Sequence, residues 1–378
     1  MPFTFVLPST IRYGNGVLSE LNQHLNDLDA KKILIITDKG IIQAGLYQKV
    51  IEIIKDKEIF LYSDIQANPK DFNVEEGAAF ARNNNVDTIV ALGGGSVLDG
   101  AKAISILTKQ GGKIRDYVLK PISADTLPIL AIPTTAGTGS EVTFSSVITD
   151  TQENFKFTVK SPYIAAKVAL VDPELTYSLP ASITAQTGID ALVHAIEGYT
   201  ANCTEPIAEA LGLYAIDLIG KNIVTAVKEP NNREARDQMM MGSLIAGLSF
   251  SHSDVAGVHC MAEALGSLYD KPHGLCNSII LPHMMKENLP YCTEKYARIA
   301  RILGVEDKDD LNCALKGITV IEKISEEIGL PSFKSLNIDA KDFRLLAQMS
   351  TKNGSNASNP KVMSVDDYEA LFFKINAL

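Results

Sequence analysis

A chain of 378 residues is long enough for two or three domains of roughly 100–200 residues each. Its apolar share of 46% and charged share of 21% are those of an ordinary globular protein, able to bury a core without disulfides or structural metals. A net charge of −10, with scattered lysines and arginines and no basic stripe, argues against nucleic acid or an anionic membrane surface as the main partner.

The first half alternates short β-rich runs with helical patterns. Strands are expected at residues 32–37 (KILIIT), 58–62 (EIFLY), 86–92 (VDTIVAL), 127–132 (LPILAI) and 168–171 (VALV). Amphipathic stretches at 17–28, 45–55 and 74–84 lie between them. Continuous apolar strands spaced by helices read as a parallel sheet covered on both faces. After residue 171 no convincing strand appears. Helical patterns run through 185–200, 206–228, 235–250 and 312–328, punctuated by Pro230, Pro272, Pro282, Pro290 and Pro331. The expected organisation is an α/β domain over residues 1–178 and an all-helical domain over 179–378.

Two loops suit a phosphate. Gly93-Gly94-Gly95-Ser96 follows a buried strand and opens a helix, with Ser96 read as N-cap and Asp99 three residues later. A second strand ends in Thr134-Thr135-Ala136-Gly137-Thr138-Gly139-Ser140. The two loops on neighbouring strand ends could hold a pyrophosphate from both sides. Asp38 ends the first long strand, where a carboxylate can bind both ribose hydroxyls of an adenosine and repel a 2′-phosphate, favouring NAD over NADP. Asp38 reads equally well as a helix cap, and the glycine run as a tight strand–helix turn. The order is not that of an ordinary Rossmann fingerprint, because the acid precedes the glycines by about 55 positions.

Five of the six histidines lie between His194 and His283. Asp190 and His194 are one helical turn apart and share a face. His259 and Glu263 have the same spacing, and His273 sits at a helix break between Pro272 and Gly274. Asp190, His194, His259 and His273 would make an N₃O donor set suited to Fe(II), Zn(II), Co(II), Ni(II) or Mn(II). Taken singly, each histidine reads as a satisfied core or cap residue. The five cysteines form no CxxC pair, and the start carries no secretion signal. Free thiols in a cytoplasmic protein are expected. No run of roughly 18 uncharged apolar residues is present, so no spanning helix is expected.

Seven segments together resemble the iron-containing (group III) alcohol dehydrogenase family. They are FVLPSTIRYGNG near the start, ILIITDKG at 33–40, GGGSVLDGAKAI at 93–104, PTTAGTGSEVT at 133–143, GIDALVHAIEGY at 188–199, HCMAEALGSLYDKPHG at 259–274 and SNPK at 358–361. The resemblance implies a dehydroquinate synthase-like fold: a dinucleotide-binding domain followed by a helical metal domain, in a homodimer or larger homo-oligomer. It implies Asp190, His194, His259 and His273 as metal ligands. It implies Asp38, Gly94, Gly95, Ser96, Asp99, Thr134, Thr135, Thr138, Lys156 and Leu175 as nucleotide contacts. The implied activity is hydride transfer between NAD and a small primary alcohol, with Fe(II), Zn(II) or another divalent metal polarising the oxygen. A zinc polyol dehydrogenase, a dehydroquinate-synthase-like lyase and a non-catalytic NAD- or metal-sensing protein are the alternatives.

The chain also departs from the family pattern. Glu263 stands where many members have a second histidine, and FSHSDVA at 250–256 replaces FNNxSLG. His252 and Asp254 are expected to make that wall of the pocket more polar. Candidates for carrying the alcohol proton are a water chain, then Glu263, then His252.

Overall fold

A computed structural model describes residues 2–377. The strands are β1 (Thr10–Tyr13), β2 (Lys32–Ile36), β3 (Glu58–Tyr62), β4 (Thr88–Gly93), β5 (Ile129–Pro133), β6 (Ser145–Asp150), β7 (Phe155–Lys160) and β8 (Val168–Val171). Helices in the same half are α1 (Leu21–Asp27), α2 (Lys39–Gln43), α3 (Leu46–Ile53), α4 (Asp71–Asn83) and α5 (Gly95–Gln110). The second half holds α6 (Ala181–Thr200), α7 (Pro206–Lys228), α8 (Arg233–His252), α9 (Gly257–Tyr269), α10 (His273–Ile302), α11 (Asp310–Glu327), α12 (Phe343–Lys352) and α13 (Val365–Ala377).

Six strands form one parallel sheet in the order β1-β8-β5-β4-β2-β3. Its strands are apolar runs because both faces are covered. Leu34, Ile36, Ile89, Ala91, Ile129 and Ala131 face one core, with Val74 and Ala78 of α4 and Leu98 and Ala101 of α5. The alternate residues Ile33, Ile35, Val90, Leu92, Leu130 and Ile132 face a second core, with Leu21 and Leu25 of α1 and Val50 of α3. Burying each Leu or Ile side chain contributes about 1.5–3 kcal/mol, so these short strands are held chiefly by their two packed faces.

Two pieces of strand were not expected from sequence. β1 is a four-residue edge strand with alternating exposure, too short and too polar to stand out. β6 and β7 form a separate antiparallel hairpin around a turn with Asn154 at φ 50°. β6 (SSVITD) is rich in Ser and Thr, and β7 (FKFTVK) alternates apolar residues with Lys and Thr, so neither carries the continuous apolar signal of the sheet. The start of α5 also differs from expectation. Gly94 is the N-cap, Gly95 is the first helical residue, and Ser96 lies inside the helix without capping it.

The chain divides into two units. One is the α/β unit, Val6–Thr135 and Ser140–Tyr177. The other is the helical unit, from Ser178 onward, which also takes in Ala136–Gly139 and the N-terminal residues up to Phe5. In the helical unit α7 is long and apolar enough to cross a membrane by length and composition alone. Here it packs on α6 and α8, burying Leu213, Ile216, Ile219 and Ile223. Pro282 and Pro290 lie inside α10, which kinks at Cys292.

Candidate metal centre and nucleotide loops

Three helices bring four ligand-type side chains together. α6 supplies Asp190 and His194, α9 supplies His259 in its first turn, and α10 begins at His273. One donor atom from each lies within 4.8 Å of all the others. Asp190, His194 and His259 are buried, and the His273 side chain is 27% exposed. His194 stacks on Phe250 at 4.4 Å between ring centres, which sets its ring plane.

Hydrogen bonding decides which imidazole atoms face inward. Glu197 Oε2 takes the Nδ1–H of His259 at 2.5 Å, so the His259 Nε2 lone pair points into the group. That Nε2 lies 3.1 Å from His194 Nε2. The Asn277 amide nitrogen lies 2.6 Å from Asp190 Oδ1 and 3.1 Å from both His259 Nε2 and His273 Nε2. An amide has two N–H bonds, and four acceptor-capable atoms converge here. Among the described residues, Asn277 Oδ1 and His194 Nδ1 are buried with no hydrogen-bond partner. Four acceptor-capable atoms thus converge around two amide protons, an arrangement that a divalent cation fits.

The electrostatics differ from ligand to ligand. Burial pushes the Asp190 carboxyl upward, but His194, His273 and His259 outweigh it and hold the group below the usual carboxylate range. Burial pushes His194 down to about 4, which keeps its ring neutral and able to ligate. Burial also opposes charge on His259, but Glu197 outweighs it and raises that imidazole. Glu197 and Asn277 were not among the sequence candidates. Both were readable from helical spacing, since Glu197 lies three residues after His194 and Asn277 four after His273.

Glu263 and His252 stand outside this four-residue group among the described residues. Glu263 Oε2 accepts from the Asn353 amide at 2.7 Å. His252 stacks on Phe5 at 3.8 Å, and its Nδ1 lies 3.0 Å from the Leu248 carbonyl oxygen. Asp254, at φ 145°, accepts from the Ser355 and Ser358 hydroxyls at 3.1 and 2.8 Å.

In the α/β unit the expected phosphate loops are neighbours. From β2 the chain adds β3 on one side, then returns to add β4, β5 and β8 on the other. The sheet thus reverses direction between β2 and β4, which is where open α/β sheets bind ligands, beyond the carboxyl ends of the strands. Asp38 follows β2 there and Gly94 to Ser96 follow β4. Thr37 Oγ1 donates to the Leu92 carbonyl at 2.7 Å, and Thr134 N–H to the Gly93 carbonyl at 3.1 Å, tying the three strand ends. The α5 N-terminus carries no side-chain cap, leaving first-turn N–H groups for an anion. A Cβ on Gly94 would come 3.2 Å from Thr135 Oγ1, so the two loops approach closely.

The remaining candidates are placed differently. Asp38 also caps α2, accepting from Ile41 N–H at 3.0 Å. The Asp99 carboxylate accepts from the Ser140 hydroxyl at 2.6 Å, the Val147 N–H at 3.0 Å and Lys102 Nζ at 3.4 Å. Lys156 is buried with its Nζ 2.8 Å from Asn68 Oδ1, and Leu175 is part of the second core. Thr138 belongs to the helical unit rather than to the α/β unit.

Residues 8–173 match the family described as iron-containing alcohol dehydrogenase, and residues 184–375 match the C-terminal part of the Fe-containing alcohol dehydrogenase family. The chain is 36% identical to a 1,3-propanediol dehydrogenase of Klebsiella pneumoniae, covering 98% of both chains. It is 36% identical to an NAD-dependent methanol dehydrogenase of Bacillus methanolicus, covering 96% of this chain and 97% of the relative. Among solved structures, a sulfoacetaldehyde reductase from Bifidobacterium kashiwanohense in complex with NAD+ superposes with a TM-score of 0.90 at 31% identity, covering 100% and 99% of the two chains. With two family matches spanning both units and a convergent N₃O cluster, the chain belongs to the iron-containing alcohol dehydrogenase family and is a metal-dependent, NAD(H)-linked alcohol/aldehyde oxidoreductase.

Proposed function

We propose that Asp190, His194, His259 and His273 hold the divalent metal, Fe(II) by preference, and that the substrate is a small primary alcohol or its aldehyde. The observation that carries this reading is the convergence of four donor atoms within 4.8 Å in the helical unit, three of them on buried side chains. When bound, the metal supplies Lewis acidity to the alcohol or carbonyl oxygen, and the dinucleotide accepts or gives the hydride.

The chain's own residues do the rest. Gly94, Gly95 and Ser96 present the α5 N-terminus to the pyrophosphate, with Thr134 and Thr135 beside them. Asp38 receives the adenosine ribose and disfavours a 2′-phosphate. Asp99, Thr138, Lys156 and Leu175 complete the nucleotide site. The bonded positions of Asp99 and Lys156 and the burial of Leu175 favour holding the loops in place over touching the ligand. The alcohol proton leaves through water. Glu263 is bonded to Asn353 and His252 is stacked on Phe5, and both lie outside the ligand group. A cytoplasmic setting and a homodimer or larger homo-oligomer are part of the same reading.

The test is NADH oxidation by anaerobically purified, Fe(II)-loaded protein against neutral, hydroxylated and anionic aldehydes, with metal content measured alongside. The expected result is chelator-sensitive turnover on at least one small aldehyde, with one metal per chain lost in His259→Ala while NAD binding is kept. Full metal content and turnover in His259→Ala would remove this cluster from the mechanism.

A further inference from the structure

Helix α9 places a ligand in its first turn, yet it does not cap itself. Its N-cap is Ala256, which has no side-chain acceptor. The first N–H groups of a helix have no intrahelical partner, so an uncapped start frays. Here three consecutive N–H groups are taken by side chains from distant parts of the chain. Ala256 N–H donates to Glu197 Oε2 at 2.9 Å and Val258 N–H to Glu197 Oε1 at 2.7 Å. Between them, Gly257 N–H donates to Asn359 Oδ1 at 3.1 Å. The same Glu197 carboxylate receives His259 Nδ1–H. One buried carboxylate thus meets two helix donors and one imidazole donor, and the negative charge sits at the positive end of α9.

Asn359 is fully buried and is itself fixed. Its Nδ2 donates to the Lys361 carbonyl at 2.7 Å and to Asn288 Oδ1 at 2.8 Å, while Asn288 Nδ2 donates back to Asn359 Oδ1 at 2.9 Å. Asn288 lies on α10, the helix that begins at His273, and Glu197 lies on α6, one turn beyond His194. The fit is close. A Cβ on Gly257 would meet Met284 Sδ at 2.8 Å and Asn359 Oδ1 at 2.9 Å.

We infer that Glu197 and Asn359 are the positioning residues of the metal centre, clamping the start of α9 so that His259 presents Nε2, in one tautomer and at one depth, to the ion. This rests on the assignment of Asp190, His194, His259 and His273 as the ligands. It gives a role to the SNPK segment, which is otherwise remote in sequence from the site. Neither residue ligates the ion. Glu197 sets the orientation and basicity of His259, and Asn359 sets where its helix begins.

The experiment is a chelator-competition titration of Zn(II) or Co(II) into metal-free protein, comparing wild type, His259→Ala, Glu197→Gln, Asn359→Ala and Gly257→Ala. Glu197→Gln should weaken metal affinity about 10–100-fold and shift the visible spectrum of the Co(II) form, with NAD affinity unchanged. Asn359→Ala and Gly257→Ala should each weaken metal binding less than Glu197→Gln, again with NAD affinity unchanged. Wild-type metal affinity and Co(II) spectrum in folded Glu197→Gln, with metal lost in His259→Ala, would overturn the clamp and leave the ligand assignment standing. Metal retained in His259→Ala would overturn the ligand assignment itself. Should Glu197→Gln not accumulate as folded protein, Gly257→Ala decides, since it displaces the helix start without altering charge, and wild-type affinity there would also overturn the clamp.

Discussion

Glu141 is a carboxylic acid placed where an ion is costly. It is buried in the short turn Ser140–Val142, and burial pushes its pKa up to about 7, against the opposing effects of its backbone hydrogen bond and of Lys102. The folded value lies above the unfolded one, so the protonated acid carries no penalty below about pH 4.5. Between about pH 4.5 and 7 the unfolded chain gives up this proton while the fold keeps it, and roughly 3 kcal/mol of stability is lost across that range. Glu141→Gln should remove this slope. Urea unfolding at a series of pH values measures it, and parallel curves for variant and wild type would show that Glu141 does not titrate with folding. Lys102 is the complementary case. Its buried Nζ donates to Ser140 Oγ, Thr143 Oγ1 and the Ser145 carbonyl, each at 2.8 Å, which links α5 to the base of the hairpin.

At the scale of elements, the β4–α5 turn joins packing to ligand binding. Gly93 has no room for a side chain, because an added Cβ would sit 2.7 Å from Val97 Cβ inside the first turn of α5. Gly93→Ala should therefore displace the helix start. We expect a stability loss of about 1–3 kcal/mol together with weaker NAD binding, read by denaturant unfolding and by NADH fluorescence titration. Stability lost with NAD affinity intact would separate the turn from the nucleotide site. The sheet and this turn were legible in sequence because continuous apolar runs and glycine turns are local signals. The hairpin β6–β7 was not, because its stabilising partners are packing contacts with α5 and other remote segments rather than a pattern within its own residues. The cap of α5 was misplaced by two residues, since a Ser before an apolar run resembles an N-cap whether or not its hydroxyl finds a free N–H.

For the whole molecule, two ligands should protect two different sets of elements. A ligand that binds only the folded state stabilises it by about 2.7 kcal/mol at a hundred times its dissociation constant. Divalent metal should slow amide exchange in α6, α9 and the start of α10, and NAD should do so at the ends of β2, β4 and β5 and in the first turn of α5. Exchange measured with each ligand separately, and with chelator added, tests this. Metal protection confined to the α/β unit would contradict the placement of the ion.

The sequence by itself determined the kinds of residue and their local spacing. Asp190 and His194 share a helix face, glycines follow a buried strand, and a carboxylate follows β2, because helical period and strand-to-helix turns are set within a few residues. The tertiary structure decided which of these meet. The sheet order that sets Asp38 beside Gly94 depends on which strands pair. The meeting of three ligand helices depends on how α6, α9 and α10 pack. The capping of α9 spans 59 and 61 positions for Glu197 and 102 for Asn359. Such contacts form only when distant segments bury their apolar faces together, and no local pattern in the chain records them.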